Sequence, residues 1–234
     1  MTPELPARDI GDVHLAELFA TPGCPLCRHR TNAGRRYIGA LLDEGVNDVP
    51  FRRALDRARG FCARHTREIL AIGEQGGGIL GPAILFAAVL TLRRRELDAA
   101  FSARGRSRGR LLADARRPAD CVVCREELQA EETGAHRLAE LADVEEWRSA
   151  LMAATFCVEH LLVVASAARD GTGWRTVEAA QASALADIDD RLRAFAHHSS
   201  HDRRHLLTDD ERRSVREAAA VLAGEAPDGG AASS

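Results

Sequence analysis

The chain has 234 residues, enough for one or two domains that bury a core without help from disulfides. Hydrophobic residues make up 45% and charged residues 29%, which excludes a disordered or membrane-embedded chain as a whole. The net charge of −3 gives no global reason to expect nucleic acid or an anionic lipid surface as partner. All basic residues are Arg, and aromatics are only 4%, so the apolar content is mostly Ala, Leu and Val. That mixture predicts closely packed helices.

Residues 1–10 read as an N-terminal tail. Met1 to Ala20 carries Glu4, Asp9, Asp12 and Glu17 and lacks a basic start with a continuous apolar run, so no export signal is expected and the predicted setting is cytoplasmic. Cys24-Pro25-Leu26-Cys27 then opens an amphipathic helix running to about Asp43, and Gly45 to Pro50 breaks it with turn residues. A short helix is predicted from Phe51 to Arg59. Gly60-Phe61-Cys62-Ala63-Arg64-His65 leads into another helix that ends near Gly73. Gly76 to Leu92 is uncharged, but its three glycines and Pro82 suit a buried core helix starting near Pro82 better than a membrane span.

Between Arg93 and Arg117 lie nine arginines against Glu96, Asp98 and Asp114, and residues 104–117 read as a flexible linker. Cys121-Val122-Val123-Cys124 starts a helix to about Leu141. A short helix follows from Asp143, a candidate N-cap with Glu146 three residues on, to Ala153. Thr155-Phe156-Cys157-Val158-Glu159-His160 opens a helix to about Arg169. Gly171 to Gly173 separates it from a long helix, Trp174 to His198. Thr208 with Glu211 should cap a last helix over 208–223, Gly224 should stop it, and 224–234 reads as a disordered tail.

The order CxxC, helix, short helix, FCxxH, helix, glycine break, long helix thus occurs twice. The expectation is an all-α protein of two pseudo-repeats, 11–103 and 118–207, of about four helices each, closed by a C-terminal helix. All six cysteines fall into these motifs, and a histidine stands three residues after each lone cysteine. Residues three apart at a helix start can chelate one ion, and a tetrahedral zinc commonly takes two such pairs. Similar intervals, Cys27 to Cys62 and Cys124 to Cys157, suggest one site per repeat: Cys24, Cys27, Cys62 and His65 in the first, Cys121, Cys124, Cys157 and His160 in the second. Four protein ligands per ion favour two zinc ions; an iron–sulfur cluster is the alternative that spacing does not separate. Thiol oxidoreductase chemistry would leave FCxxH unexplained.

His197, His201 and His205 could share a helix face beside His198 as a further metal site, although a solvated helix end explains them as well. Pairs such as Glu126-Glu127 and Glu131-Glu132 read as helix surface. The arginine-rich segment is weak support for nucleic acid, because no aromatic lies between Phe101 and Trp147 to stack on bases. A protein partner, and no membrane, is the expectation.

The twin motifs resemble a bacterial family of unknown function built on a CPxC…FCxxH unit and a diverged copy. The similarity runs from about His14 to Leu222. A His-Asp-aromatic-Arg stretch of that family would correspond to His201-Asp202-Arg203-Arg204, with Arg203 in place of the aromatic. The resemblance implies the fold and the cysteine roles but no activity. The function expected is a zinc-stabilised binding or adaptor protein without catalysis, the alternative a redox-responsive thiol or iron–sulfur protein.

Overall fold

A computed structural model describes residues 5–168 and 172–224. The protein is all-helical: among the described residues there are eleven α-helices, a π-helical turn at Leu41–Gly45, a 3-10 turn at Arg204–Leu206 and no strand. The helices are α1 (Ile10–Leu18), α2 (Pro25–Ala40), α3 (Val49–Ala58), α4 (Ala63–Gln75), α5 (Leu80–Ser102) and α6 (Gly105–Ala115). After them come α7 (Val122–Leu141), α8 (Glu145–Ala153), α9 (Val158–Ala167), α10 (Thr172–His198) and α11 (Asp209–Ala223). No helix among the described residues is long and apolar enough to cross a membrane.

The chain forms two compact units that do not coincide with the two sequence repeats. One is continuous, Asn32–Gln129; the other combines the described parts of Met1–Thr31 and Ala130–Ser234. Both boundaries fall inside helices, α2 and α7.

In the continuous unit, Ile38, Ala58, Ile69, Val122 and Val123 form one buried cluster, and Leu41, Leu55 and Leu85 another. Asp48 caps α3 by accepting from the Phe51 amide at 2.8 Å, and Pro50 sits in the first turn, where no amide hydrogen is needed. The helix ends on Arg59 and Gly60, both with positive φ. A side chain at Gly60 would run into Val89 of α5 at 2.7 Å, so glycine is needed for conformation and space alike.

The segment read as a flexible linker is the helix α6, packed on α5. Its C-terminal carbonyls, which lack intrahelical partners, are taken by arginines from elsewhere. Arg59 Nη1 donates to Asp114 O and Arg93 Nη2 to Ala115 O, both at 2.6 Å. Ala115 is buried, while every residue from Arg104 to Arg110 is exposed. Glycine and arginine content suggested solvation, but distant arginines at the C-terminal carbonyls and the packing on α5 overrule it. The α5 helix differs too: Pro82, Leu85 and Ala100 are buried, yet Leu80 and Leu90 are more than two-thirds exposed, so it is not a core helix on all sides.

In the discontinuous unit the core comprises Leu15, Leu18, Leu26, Leu138, Leu141, Trp147, Leu151, Phe156 and Trp174 among others. Part of the segment read as a tail is anchored to it: Leu5 is buried and Pro6 O accepts from Trp147 Nε1 at 2.8 Å, while residues 6–10 are exposed. Asp9 caps α1 through the Asp12 amide. Asp143 does not cap α8, which begins at Glu145; its carboxylate accepts from the Gly173 amide at 3.3 Å. The α10 helix starts at Thr172, two residues earlier than expected, and Gly171 lies outside the described residues, as do residues 225–234 of the C-terminal segment. Thr208 and Glu211 form the expected capping box on α11, with Gly224 at its end.

Asp12 is fully buried and accepts from Arg137 Nε at 2.7 Å, Arg137 Nη2 at 3.0 Å and the Arg8 amide at 2.8 Å. The Arg137 hydrogen bond, acting against burial, holds its carboxyl below the ordinary range. A depressed carboxyl stabilises the fold above the unfolded-state pKa and loses that contribution as pH falls through the folded value. Asp12→Asn should therefore cost about 2 kcal/mol at neutral pH. The deficit against the native chain should shrink below roughly pH 4, as read by urea unfolding at several pH values.

Candidate metal centres

Each motif pair stands at the start of a helix. Cys24 immediately precedes α2, Cys62 caps α4, Cys121 immediately precedes α7 and Cys157 caps α9. The carbonyl of each accepts the first bond of its helix, from Arg28, Thr66, Arg125 and Leu161 respectively. The second residue of each pair follows three positions later, in the first turn. This spacing turns both side chains to the same side of the helix end, as a capping box does, so each pair is preset as a chelating unit before any partner arrives. Free amides at the helix start favour a thiolate there; the His65 amide points at Cys62 Sγ at 3.5 Å.

The four pairs meet as two groups, but not in the combination that sequence intervals suggest. In the discontinuous unit Cys24 and Cys27 join Cys157 and His160; in the continuous unit Cys62 and His65 join Cys121 and Cys124. Cys27 and His65 therefore share no group, and neither do Cys124 and His160. All eight candidate ligands are brought together, with the partners exchanged between the repeats.

Within each group the donor atoms lie within 4.8 Å of one another. In the first, His160 Nδ1 is 3.4 Å from Cys24 Sγ, 3.1 Å from Cys27 Sγ and 3.3 Å from Cys157 Sγ, and Cys27 and Cys157 sulfurs are 3.7 Å apart. In the second, His65 Nδ1 is 3.4 Å from Cys62 Sγ and 3.3 Å from both Cys121 Sγ and Cys124 Sγ, and Cys62 and Cys124 sulfurs are 3.7 Å apart. None of the six cysteines is in a disulfide. A tetrahedral zinc with bonds of about 2.3 Å to sulfur and 2.0 Å to nitrogen has sulfur–sulfur edges of about 3.8 Å and sulfur–nitrogen edges of about 3.5 Å. The residues fit such an ion.

Electrostatics point the same way. Burial opposes ionisation of Cys121, but hydrogen bonds from His65 and the Cys62 and Cys124 amides bring it down to about 6. Burial and the charge of Cys121 push Cys124 up to about 12. One thiolate so close to another is unfavourable until a cation sits among them. Cys24 is likewise held well below the ordinary thiol range by hydrogen bonds from Cys157 and Cys27.

Behind each histidine stands a buried carboxylate backed by an arginine. His65 Nε2 lies 3.1 Å from Glu127 Oε1, and Arg64 grips both oxygens of Glu127. His160 Nε2 lies 3.2 Å from Glu131 Oε2, which accepts from Arg30 Nη1 at 2.8 Å. With Nδ1 facing the sulfurs, Nε2 carries the hydrogen and donates it to the carboxylate, an arrangement that fixes ring orientation and raises ligand basicity. Burial would keep Glu127 neutral, but the His65 and Arg64 hydrogen bonds outweigh it and lower its pKa to about 2.

These two glutamates, 2% and 5% exposed, are the functional residues that pattern reading missed, having read as helix surface. The spacing Cys124, Glu127, Glu131 on one face of α7 is the signal that could have found them. Glu68 also comes near His65 Nε2 and Glu127, but Arg35 Nε holds it at 3.2 Å and Arg64 lies 3.8 Å away, so it belongs to this surrounding shell. Room for the shell comes from Gly34, where a Cβ would stand 2.7 Å from Glu127 Oε1. Gly224 does more than end α11: a Cβ there would stand 3.0 Å from Cys27 Sγ.

The histidines near residue 200 form no such site. The α10 helix stops at His198, whose Nδ1 pairs with Glu211 at 3.0 Å, and Arg203 Nη1 contacts the His197 ring at 2.8 Å. Among the described residues none of His197, His198, His201 and His205 enters a metal-sized group.

The geometry of the sulfurs can be read chemically. Mild oxidation of the native folded chain, followed by peptide mapping, should give Cys27–Cys157 and Cys62–Cys124 disulfides. Cys27–Cys62 as the leading product would contradict the exchanged pairing.

No curated protein and no solved structure matches the chain. A family profile, described as "Family of unknown function (DUF6062)", matches residues 8–179, well over half of the sequence and including every member of both four-residue groups. The chain belongs to this family of unknown function.

Proposed function

We propose that the chain is a zinc-stabilised helical binding protein, of adaptor or regulatory type and without catalysis of its own, with one zinc ion in each unit. One observation carries this reading: two groups of three sulfurs and one imidazole nitrogen, with all donor atoms within 4.8 Å of one another and the nitrogen 3.1–3.4 Å from every sulfur, each match the donor set of a single tetrahedral ion. An iron–sulfur cluster spreads its ligands over several irons and needs them farther apart. Four protein donors fill a tetrahedral zinc, so it would supply folding free energy, about 10–16 kcal/mol in small zinc modules, and no open position for substrate. Function then falls to the surfaces the helices carry, with a protein as the partner class. Cysteines kept out of disulfides and held as ligands suit a reducing cytoplasm.

A redox response is a second reading for one centre only. Cys24, Cys27 and Cys157 are buried, whereas Cys62 and Cys124 are partly exposed with their sulfurs 3.7 Å apart. An oxidant reaches that pair first.

Metal analysis of protein purified without oxygen tests the main reading. The native chain should carry two zinc ions. Cys24→Ser/Cys157→Ser should keep one, because both changes strike the same centre, and Cys24→Ser/Cys62→Ser should lose both. Iron with stoichiometric sulfide would overturn zinc, and one ion left in the Cys24/Cys62 variant would overturn the exchanged pairing. Glu127→Gln should retain the ligands but weaken zinc affinity by about 10- to 100-fold in chelator competition.

A further inference from the structure

We infer that α6, with the adjoining end of α5, is a docking surface for the phosphate backbone of double-stranded DNA, bound without regard to sequence. Residues 93–117 hold nine arginines against Glu96, Asp98 and Asp114 in a chain whose net charge is −3, so positive charge is concentrated here and the remainder is net acidic. Three of the nine are tied down within the molecule. Arg93 pairs with Glu96 and the Ala115 carbonyl, Arg108 donates to Phe101 O at 3.2 Å, and Arg117 lies 3.4 Å from Asp114. The other six, Arg94, Arg95, Arg104, Arg106, Arg110 and Arg116, are exposed. No acidic side chain among the described residues pairs with them.

A flexible linker would let these charges spread apart. Here they are fixed on a helix about 16 Å long, pinned at its C-terminal end by Arg59 and Arg93. Leu111, Leu112 and Ala115 are its half-buried and buried positions; Arg106 and Arg110, one turn apart, stand opposite Ala115 with Ala113 in line. Like charges at that spacing destabilise a helix, and Gly105 and Gly109 weaken it further. A polyanion relieves the repulsion and releases its own counterions in doing so. Guanidinium forks match phosphate oxygens, and Ser107, Gly109 and Ala113 put no bulk in the way of a strand. α6 has no aromatic on which an unpaired base could stack and no large apolar residue on its outer side to enter a bilayer. The major groove of B-form DNA, about 12 Å wide, admits an α-helix, whereas that of A-form RNA is too narrow. Leu97 and Phe101 of α5 are also exposed, so an anionic membrane is the competing occupant in the test. This proposal does not rest on the zinc reading.

Fluorescence anisotropy of the full chain, purified with its metal, against a labelled DNA duplex of random sequence tests the surface. At about 0.05 M salt the native chain should bind with a dissociation constant of about 10⁻⁶–10⁻⁵ M, and log affinity should fall against log salt with a slope of about −4. Arg106→Gln/Arg110→Gln should weaken binding by roughly tenfold or more and flatten that slope by about two. Arg106→Lys/Arg110→Lys, which keeps the charge, should restore most of the affinity. Helical circular dichroism and metal content should be unchanged in both. Arg193→Gln, at an exposed position of the other unit, should leave binding as it is. No binding at that salt, an affinity indifferent to the double glutamine variant, or tighter binding to single-stranded DNA, duplex RNA or vesicles of anionic lipid would each overturn the proposal.

Discussion

Three sulfurs crowded around one imidazole nitrogen form an arrangement that water and protein alone do not favour. As neutral thiols they forgo strong hydrogen bonds in a buried place; as thiolates they repel one another across 3.7 Å. Much of the surrounding structure answers this constraint. Helix starts supply amide dipoles to the leading cysteines, the histidines contribute an imidazole nitrogen, and Glu127 and Glu131 steady the rings from behind. Arg64 and Arg30 then compensate the glutamates, so charge alternates outward from each centre. Even the two close glycines, Gly34 and Gly224, are explained by what must fit beside a carboxylate or a sulfur.

The local part of this scheme was legible in the sequence because local geometry is periodic. A cysteine followed three residues later by Cys or His at a helix start has one consequence for side-chain direction, and all four pairs obey it. Which pair meets which was not legible. Equal intervals favoured partners within a repeat, but the entropy of closing a loop grows only slowly with its length, so sequence distance is a weak guide. Cys27 and Cys157, 130 positions apart, meet because helix packing places them together. Glu127 and Glu131 were hidden for a related reason: charged residues on a helix are usually solvated, and their spacing after Cys124 gains meaning only once His65, His160, Arg64 and Arg30 are seen to meet them.

The α5–α6 region shows the same limit from the opposite side. Composition made 104–117 a linker, whereas Arg59 and Arg93 complete the end of a helix there. An uncharged stretch made α5 a core helix, yet only one of its faces is anchored. In both cases the deciding contacts come from other segments of the chain, and window-based reading has no access to them.

The placement of the two centres along the chain also orders their assembly during synthesis. The continuous unit has every ligand between Cys62 and Cys124, so its cage can close as soon as that stretch has left the ribosome. Cys24 and Cys27 emerge earlier than any of these, but their partners Cys157 and His160 come last. For that interval the amino-terminal pair is an exposed dithiol, open to stray metals, to oxidants and to the wrong histidine. On the proposed zinc reading, a nascent chain of this design would gain from a metal supply that is steady rather than abundant, since the pair that waits longest is the one most easily captured by a competing ion.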